Sequence, residues 1–267
     1  MVDKSEKFNW FVRVGYLSRA VLYSVLGLIA ITSAGQISEG TDGIFKAIEN
    51  FPAGTAILWI MVVGLTFYAL FRFASPVFDI ENEGQDAKGW GKRLGHAGSG
   101  IGHLALALSA FQFANSTASG SGGGAQQAAS GVLGVNFGGT FLGILGLIFF
   151  VVAAFQIKKG ITGEFMQRLS STAPHASRWM GALGYIARGV VYAAIGWSLV
   201  QTGFLSQGAE NVKTLGSALA SLAGQGALFT ATALGLIVFG LFSLILARYR
   251  IIPELDSDAG IPEFRTA

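Results

Sequence analysis

The chain has 267 residues, of which 52% are hydrophobic and only 12% are charged, and its net charge is +3. A soluble protein of this length carries about a quarter charged residues, so the composition indicates a protein that folds in the lipid bilayer. Cysteine is absent, which excludes disulfides, thiolate catalysis and cysteine-bound zinc or iron–sulfur clusters. The small net charge gives no indication of nucleic-acid binding.

Six apolar stretches are long enough to cross a bilayer as helices, each of which needs about twenty residues. They are Val14–Ala34, Thr55–Phe73, Leu94–Ala114, Phe137–Ile157, Leu183–Phe204 and Ala227–Ala247. The third is the least apolar, because it is rich in glycine and serine and contains two histidines. The second is expected to end before Pro76, since proline does not continue a helix. We therefore predict an all-α integral membrane protein with six transmembrane helices.

Lysine and arginine are unevenly distributed between the two sides of the predicted spans. Of the 18, fourteen lie on one side, only Lys46 and Lys213 lie on the other, and Arg19 and Arg188 fall within spans. Because positively charged connections stay in the cytoplasm, we predict a multi-pass protein of the bacterial plasma membrane with cytoplasmic N- and C-termini. Residues 251–267 would form a cytoplasmic tail.

Two motifs recur three times along the chain. The motif of the first spans begins at Arg13, Arg93 and Ala182, and that of the second spans begins at Gly64, Gly146 and Gly235. The offsets are nearly equal for the two motifs, which indicates three copies of a two-helix unit at about 11–79, 91–165 and 180–250. Together they form one membrane domain. Every unit crosses the membrane twice, so we expect a pseudo-threefold axis along the membrane normal.

The repeated signature is Gly-Tyr-x-x-Arg-x-x-x-Tyr in the first span and Gly-Leu-x-x-Tyr/Phe in the second. It resembles the bacterial membrane family catalogued as domain of unknown function 1206, over about residues 11–250. The resemblance implies a six-helix protein of the inner membrane, and it implies no activity, ligand or catalytic residue. The middle unit departs from the signature, because His96 and His103 occupy the tyrosine positions and Ser99 occupies the arginine position.

The short connections on the lysine-poor side are also partly apolar at helical spacing. The apolar positions are Ile44, Phe45, Ile48 and Phe51 in the first unit, and Val212, Leu215, Leu219 and Leu222 in the third. This spacing predicts short amphipathic helices. In the second unit, a flexible stretch at Ser116–Gly124 is expected before such a segment.

Arg19 and Arg188 lie well inside predicted spans, whereas Arg72 stands at the cytoplasmic end of the second span and is counted with the connections; no Asp or Glu lies within any span to neutralise Arg19 and Arg188. One interpretation is structural: the side chains extend to the cytoplasmic head groups or cap helix carbonyls. The other is functional: they line a polar pocket that holds an anion or a lipid phosphate. Both interpretations are open at the level of the sequence.

Three pairs of side chains lie seven residues apart, so both members of each pair share one helix face. The pairs are Tyr16 and Tyr23, His96 and His103, and Tyr185 and Tyr192. Packing and hydrogen bonding between helices is one interpretation, and a proton-titrating role for the histidines is another. A haem site is disfavoured, because both histidines lie on one helix. No cofactor or metal is predicted.

Sequence motifs for enzymes, such as His-Glu-x-x-His or a phosphate-binding glycine loop, are missing. We therefore predict a non-enzymatic membrane protein with an anion- or lipid-binding polar site near the cytoplasmic leaflet, acting as a small pore, a transporter or a lipid-binding protein. The alternative is a scaffold or accessory subunit of a larger membrane complex, and an enzyme acting on lipid is a third class. The expected partners are membrane lipids and either another membrane protein or a second copy of the chain.

Overall fold

The structure, a computed structural model, describes residues 4–32, 45–46, 48–50, 52–79, 83–115 and 124–252. The predicted flexible stretch of the second unit falls almost entirely outside these ranges, and so does most of the predicted C-terminal tail. The described residues form eight named α-helices. They are α1 (Lys4–Thr32), α2 (Gly54–Phe78), α3 (Ala87–Ala114), α4 (Gly124–Leu133), α5 (Gly138–Thr162), α6 (Ser177–Phe204), α7 (Leu215–Ala220) and α8 (Ala227–Tyr249).

Five of these helices are long and apolar enough to cross a membrane. They are α1 over Val12–Thr32, α2, α5, α6 and α8. The third predicted span corresponds to α3, which has 28 residues and ample length for a bilayer at 1.5 Å per residue. Its composition does not place it among the five, since glycine, histidine and lysine occupy much of its first half. The described part of the chain is therefore all-helical and contains several apolar helices, as in a membrane protein.

The prediction that the second helix ends before Pro76 is wrong. Helix α2 includes Pro76 and ends at Phe78. Proline lacks only its own N–H, and in the last turn of a helix this removes a single backbone bond. The carbonyl of Pro76 lies at the end of the helix, where it accepts a hydrogen bond from the Nε atom of Arg93 at 2.8 Å.

The long helices pack in an order that follows the repeat. The second long helix of each unit packs on the first long helix of the next: α2 on α3, α5 on α6, and α8 on α1. Within units, α1 packs on α2 and α6 packs on α8. In the described part of the second unit, α3 and α5 make almost no contact with each other. The long helices thus pack in the series α3, α2, α1, α8, α6 and α5, and its two end helices barely contact each other.

The glycine at one position of the first span has different surroundings in the three units. A Cβ added at Gly15 would lie 2.6 Å from the Cβ of Tyr68, and one added at Gly184 would lie 2.6 Å from the Cβ of Phe239. Close helix contact therefore requires glycine in the first and third units. The equivalent Gly95 has nothing within 4 Å of its Cβ position, because α5 does not cover that face of α3.

Three arginines near the start of first-span helices bind the ends of second-span helices, and we call them the helix-end arginines. Arg13 Nη1 donates to the carbonyls of Ala247 and Arg248 at 2.7 and 2.6 Å. Arg93 binds the last turn of α2. Arg178 donates to the carbonyls at 160 and 161, at 3.2 and 2.7 Å. Each guanidinium satisfies orphan carbonyls at the negative end of a helix, and each links one repeat unit to the next.

The short segments on the lysine-poor side pack against the bundle. Phe45 and Ile48 lie in a helical segment and are buried, as are Val212 and Leu219. In the second unit α4 occupies the corresponding stretch of the chain, and Gln126 Nε2 donates to the carbonyl of Val212 at 2.6 Å. The predicted positions of Ile44 and Phe51 lie outside the described residues.

Candidate functional site

The side chain of Arg19 lies inside the helix bundle, with only 4% of the residue exposed. Its Nη1 atom donates a hydrogen bond to the hydroxyl of Tyr68 at 2.7 Å. Its guanidinium carbon lies 5.2, 5.0 and 5.1 Å from the ring centroids of Tyr16, Tyr68 and Phe239. These separations are those of cation–π contacts, so the guanidinium is held by aromatic rings from α1, α2 and α8.

Arg188 occupies a related environment in the third unit, with 8% of the residue exposed. Its Nη2 atom donates to the hydroxyl of Tyr192, and its guanidinium lies 5.4, 5.1 and 4.7 Å from the ring centroids of Tyr23, Tyr192 and Phe239. When the amide of Gln156 is oriented to satisfy hydrogen bonding, its oxygen accepts from both Nη atoms at 3.2 and 3.3 Å. Arg19 and Arg188 are called the core arginines below.

The two core arginines share one aromatic ring. Both stack on Phe239, so their guanidinium carbons can be no farther apart than the sum of their distances to that ring centroid. Among the described residues no Asp or Glu forms an ion pair with either one. The Nε atoms of both are buried without a hydrogen-bond partner in the described structure. Within the described structure, two buried cations therefore lie beside one phenylalanine ring without a carboxylate partner, and burial of a charge is costly unless it is paired.

The structure places the other predicted residues around this centre. Tyr16 and Tyr23 are buried, and their rings lie beside the guanidinium groups of Arg19 and Arg188, respectively. His103, 7% exposed, stacks on Tyr68 with ring centroids 4.5 Å apart, and its Nδ1 hydrogen-bonds the carbonyl of Ser99 at 2.7 Å. Tyr185 contacts Phe239 edge-on at 5.5 Å. It belongs to the aromatic packing and does not stack on a core arginine.

His96 lies nearer the lysine- and arginine-rich end, and a chain of polar contacts connects it to Arg19. The hydroxyl of Tyr68 also accepts a hydrogen bond from Arg72 Nε at 3.0 Å, and Arg72 Nη1 lies 2.6 Å from His96 Nδ1. The Nε2 atom of His96 is 3.8 Å from Glu83 Oε1. The two histidines therefore face different side chains of α2, and they do not meet at a common ligand position.

Glu83 is the carboxylate at the outer end of this chain of contacts. It pairs with Lys92, and Arg168 Nη2 lies 3.5 Å from its Oε1. Burial alone would raise the pKa of the Glu83 carboxyl, but its contacts with His96 and Lys92 and the charges of Lys92 and Arg168 lower the pKa to about 2. The carboxyl is consequently ionised at neutral pH.

Several residues of the site were not identified from the sequence. They are Tyr68, Arg72, Gln156 and Phe239 in the bundle, Arg250, whose guanidinium lies 5.6 Å from the Tyr16 ring centroid, and Glu83 at the surface. A signal existed for two of them, because Tyr68 and Phe239 occupy the last position of the repeated Gly-Leu-x-x-Tyr/Phe motif. Nothing in the sequence singled out the others.

The family described as Domain of Unknown Function (DUF1206) matches three regions of the chain, at residues 14–79, 94–163 and 183–250. The chain belongs to this family. The three matched regions correspond to the three predicted units and confirm the resemblance found in the hairpin signature. Among curated proteins, the chain is 28% identical over 261 residues to Uncharacterized protein YxxB of Bacillus subtilis (strain 168), covering 92% of this chain and 94% of the relative. No solved structure matches.

The family description and the relative's name give no ligand or reaction, so the chemistry has to come from the residues. In the described structure no group of three or more His, Asp and Glu residues is placed to hold a metal ion. The core arginines offer a different chemistry: guanidinium groups bind phosphate and carboxylate groups through paired N–H donors.

Proposed function

We propose that this protein is a non-enzymatic membrane protein that binds the anionic head group of a lipid through Arg19 and Arg188. It would cross the bacterial plasma membrane six times with both termini in the cytoplasm, and its three units would be related by a pseudo-threefold axis. Helix α3 would be the sixth span. The cyclic order of helix packing and the three helix-end arginines support this arrangement.

The observation that carries the proposal is the pair of core arginines on one phenylalanine ring. Two cations taken out of water repel each other and lose hydration, which costs several kcal/mol unless an anion or strong hydrogen bonds compensate. The described residues provide tyrosine hydroxyls and one amide oxygen but no carboxylate. A phosphate group would supply both the negative charge and acceptors for the buried Nε donors.

The scaffold function remains a second candidate, because one observation favours it. Each core arginine stacks on three aromatic rings, and a desolvated cation–π contact contributes about 2 kcal/mol. The aromatic environment by itself stabilises the cations in part. In that case Arg19 and Arg188 would fix the helix packing of a subunit that binds no lipid at this position.

Lipid retention distinguishes the two candidates. The Arg19→Gln, Arg188→Gln double variant should copurify with much less anionic phospholipid than the wild type, as measured by native mass spectrometry. Arg248→Gln is a matched control, because the Arg248 side chain is exposed. Ser99→Ala is a second, because Ser99 holds the arginine position of the middle unit. Unchanged retention in the double variant would leave the scaffold as the better account.

A second experiment tests whether the bound anion belongs to a lipid or to a soluble phosphate compound. Binding to the delipidated wild type is compared for dihexanoyl phosphatidylglycerol and for glycerol phosphate, which has no acyl chains. Tight binding of the short-chain lipid alone supports a lipid ligand. Equal affinity for both would contradict the lipid part of the proposal and indicate a soluble phosphate compound.

A further inference from the structure

We propose that anion binding at the core arginines is coupled to proton uptake by His96, so that the anion binds more tightly as the pH falls. This inference rests on the proposed function, because it concerns the regulation of the same site. It is based on the polar contacts that lead from Arg19 through Tyr68 and Arg72 to His96.

The contact between Arg72 and His96 fixes the protonation of the imidazole ring. A guanidinium group only donates hydrogen bonds, so His96 Nδ1, 2.6 Å from Arg72 Nη1, has to be the unprotonated acceptor. The ring proton then lies on Nε2, on the side of Glu83; this assignment follows from the hydrogen-bond network. His96 therefore cannot accept the bond from Arg72 and carry a proton on Nδ1 at the same time.

Arg72 is also a neighbour of the core site. Arg72 Nε and Arg19 Nη1 both donate to the hydroxyl oxygen of Tyr68, at 3.0 and 2.7 Å. An anion beside Arg19 would offer Arg72 a charged acceptor, and hydrogen bonds to charged acceptors are stronger than bonds to a neutral imidazole. Arg72 would then turn from His96 towards the anion.

Proton uptake by His96 follows from this movement of Arg72. Once Arg72 leaves, His96 Nδ1 can take one proton, and the imidazolium formed pairs with the nearby Glu83 carboxylate. One negative charge and one proton enter together, so the net charge of the site is unchanged. By linkage, anything that favours the protonated imidazole strengthens anion binding to the same extent.

Several charged and titratable groups face this pair. Among the described residues they include Tyr68 and Arg72 on α2, Glu83 before α3, Lys92 and His103 on α3, Arg168 after α5, and Arg19 on α1 beyond Tyr68. Glu83 does not supply the proton: its pKa of about 2 keeps it ionised at neutral pH, despite the opposing effect of burial. Imidazole is the side chain that changes charge near neutral pH, and replacing His96 separates its contribution from that of the Tyr68 hydroxyl.

The experiment measures the affinity of the purified full-length protein for dihexanoyl phosphatidylglycerol between about pH 5.5 and 8, the range in which imidazole titrates. The phosphodiester keeps one charge over this range, so any pH dependence comes from the protein. The wild-type affinity should rise as the pH falls, by at most about tenfold per pH unit for one linked proton. The His96→Gln variant keeps an acceptor for Arg72 but cannot be protonated, and its affinity should be independent of pH. His175→Gln is the control, since His175 is exposed.

A second measurement does not depend on any variant. Calorimetric titrations of the wild type in two buffers of different ionisation enthalpy should show proton uptake on lipid binding. Absence of uptake, or an undiminished pH dependence in His96→Gln, overturns the inference. If binding is independent of pH but is lost in the Arg19→Gln, Arg188→Gln variant, only the coupling is wrong. If binding survives in that double variant, the proposed function and this inference both fail.

Discussion

The helix-end arginines and the core arginines are the same residue type in two different environments. Arg13, Arg93 and Arg178 each donate to backbone carbonyls at the end of a neighbouring helix. Arg19 and Arg188 meet tyrosine hydroxyls and aromatic rings, and each has a buried Nε without a partner in the described structure. The first group is satisfied by the fold itself, whereas the second has unused donors. This difference is why the core arginines are assigned a ligand and the helix-end arginines are assigned a structural role.

The largest expected effect is on stabilisation by lipid. A ligand that binds only the folded protein stabilises it by about 2.7 kcal/mol at a hundred times its dissociation constant. Adding dihexanoyl phosphatidylglycerol to delipidated protein should therefore raise the thermal midpoint of the wild type. The midpoint of the Arg19→Gln, Arg188→Gln variant should not change. An equal rise in both proteins would mean that the two groups of arginines do not differ in ligand binding.

The helix-end arginines should show the opposite behaviour. Arg178→Gln removes two charge-assisted hydrogen bonds to the last turn of α5, and such bonds contribute about 1.5–3 kcal/mol. The variant should unfold at a lower temperature than the wild type, as followed by intrinsic tryptophan fluorescence. It should nevertheless keep the full stabilisation by added lipid. Loss of that lipid effect would show that the helix-end arginines take part in binding.

The aromatic environment can be tested through the glycines that let the helices approach. Gly15→Ala or Gly184→Ala places a methyl group 2.6 Å from the Cβ of Tyr68 or Phe239, and overpacking of this kind costs about 1–3 kcal/mol. Both variants should be less stable. Gly95→Ala is the matched control at the equivalent position of the second unit, where the space is open. A comparable loss of stability in Gly95→Ala would indicate that α3 is packed as closely at this position as the first spans of the other two units.

The smallest expected effect is the contribution of Glu83 to stability in acid. Its pKa in the folded protein is lowered to about 2 from an ordinary value of 4.5, so the ionised carboxylate stabilises the fold above pH 4.5. That contribution is lost progressively as the pH falls from 4.5 towards 2. The Glu83→Gln variant should therefore show a weaker decrease of the thermal midpoint over this range than the wild type. Identical acid profiles would assign no stabilising role to the contacts with Lys92 and Arg168.

The helix positions and the repeat were largely predictable, because a bilayer imposes a minimum apolar length and duplication leaves matching motifs. All six predicted windows fall substantially on long helices, although only five of these helices are apolar enough to be identified as spans. The end of α2 was misplaced, because a proline in the last turn removes only one backbone hydrogen bond, and this helix end is held by the contact between Arg93 and the carbonyl of Pro76. That contact joins residues that the sequence alone gives no reason to pair.

Several residues of the site were predicted from the sequence, but the contacts between them were not. Arg19, Arg188 and the two tyrosines of α1 could be identified because charged and polar residues are rare inside spans. The central role of Phe239 could not, since a phenylalanine in an apolar helix carries no signal of its own. The absence of packing between α3 and α5 was equally unpredictable from three similar copies of one motif.

The sequence by itself determined that this chain is a helical membrane protein of a family whose model matches three regions of it, and that Arg19 and Arg188 lie deep within predicted spans. These properties depend on composition and periodicity, which are local and repeat along the chain. Only the tertiary structure decided that both arginines stack on one ring, that Tyr68 joins Arg19 to Arg72, and that His96 lies between Arg72 and Glu83. These contacts join residues from different helices, and the packing of the whole bundle sets the distances between them.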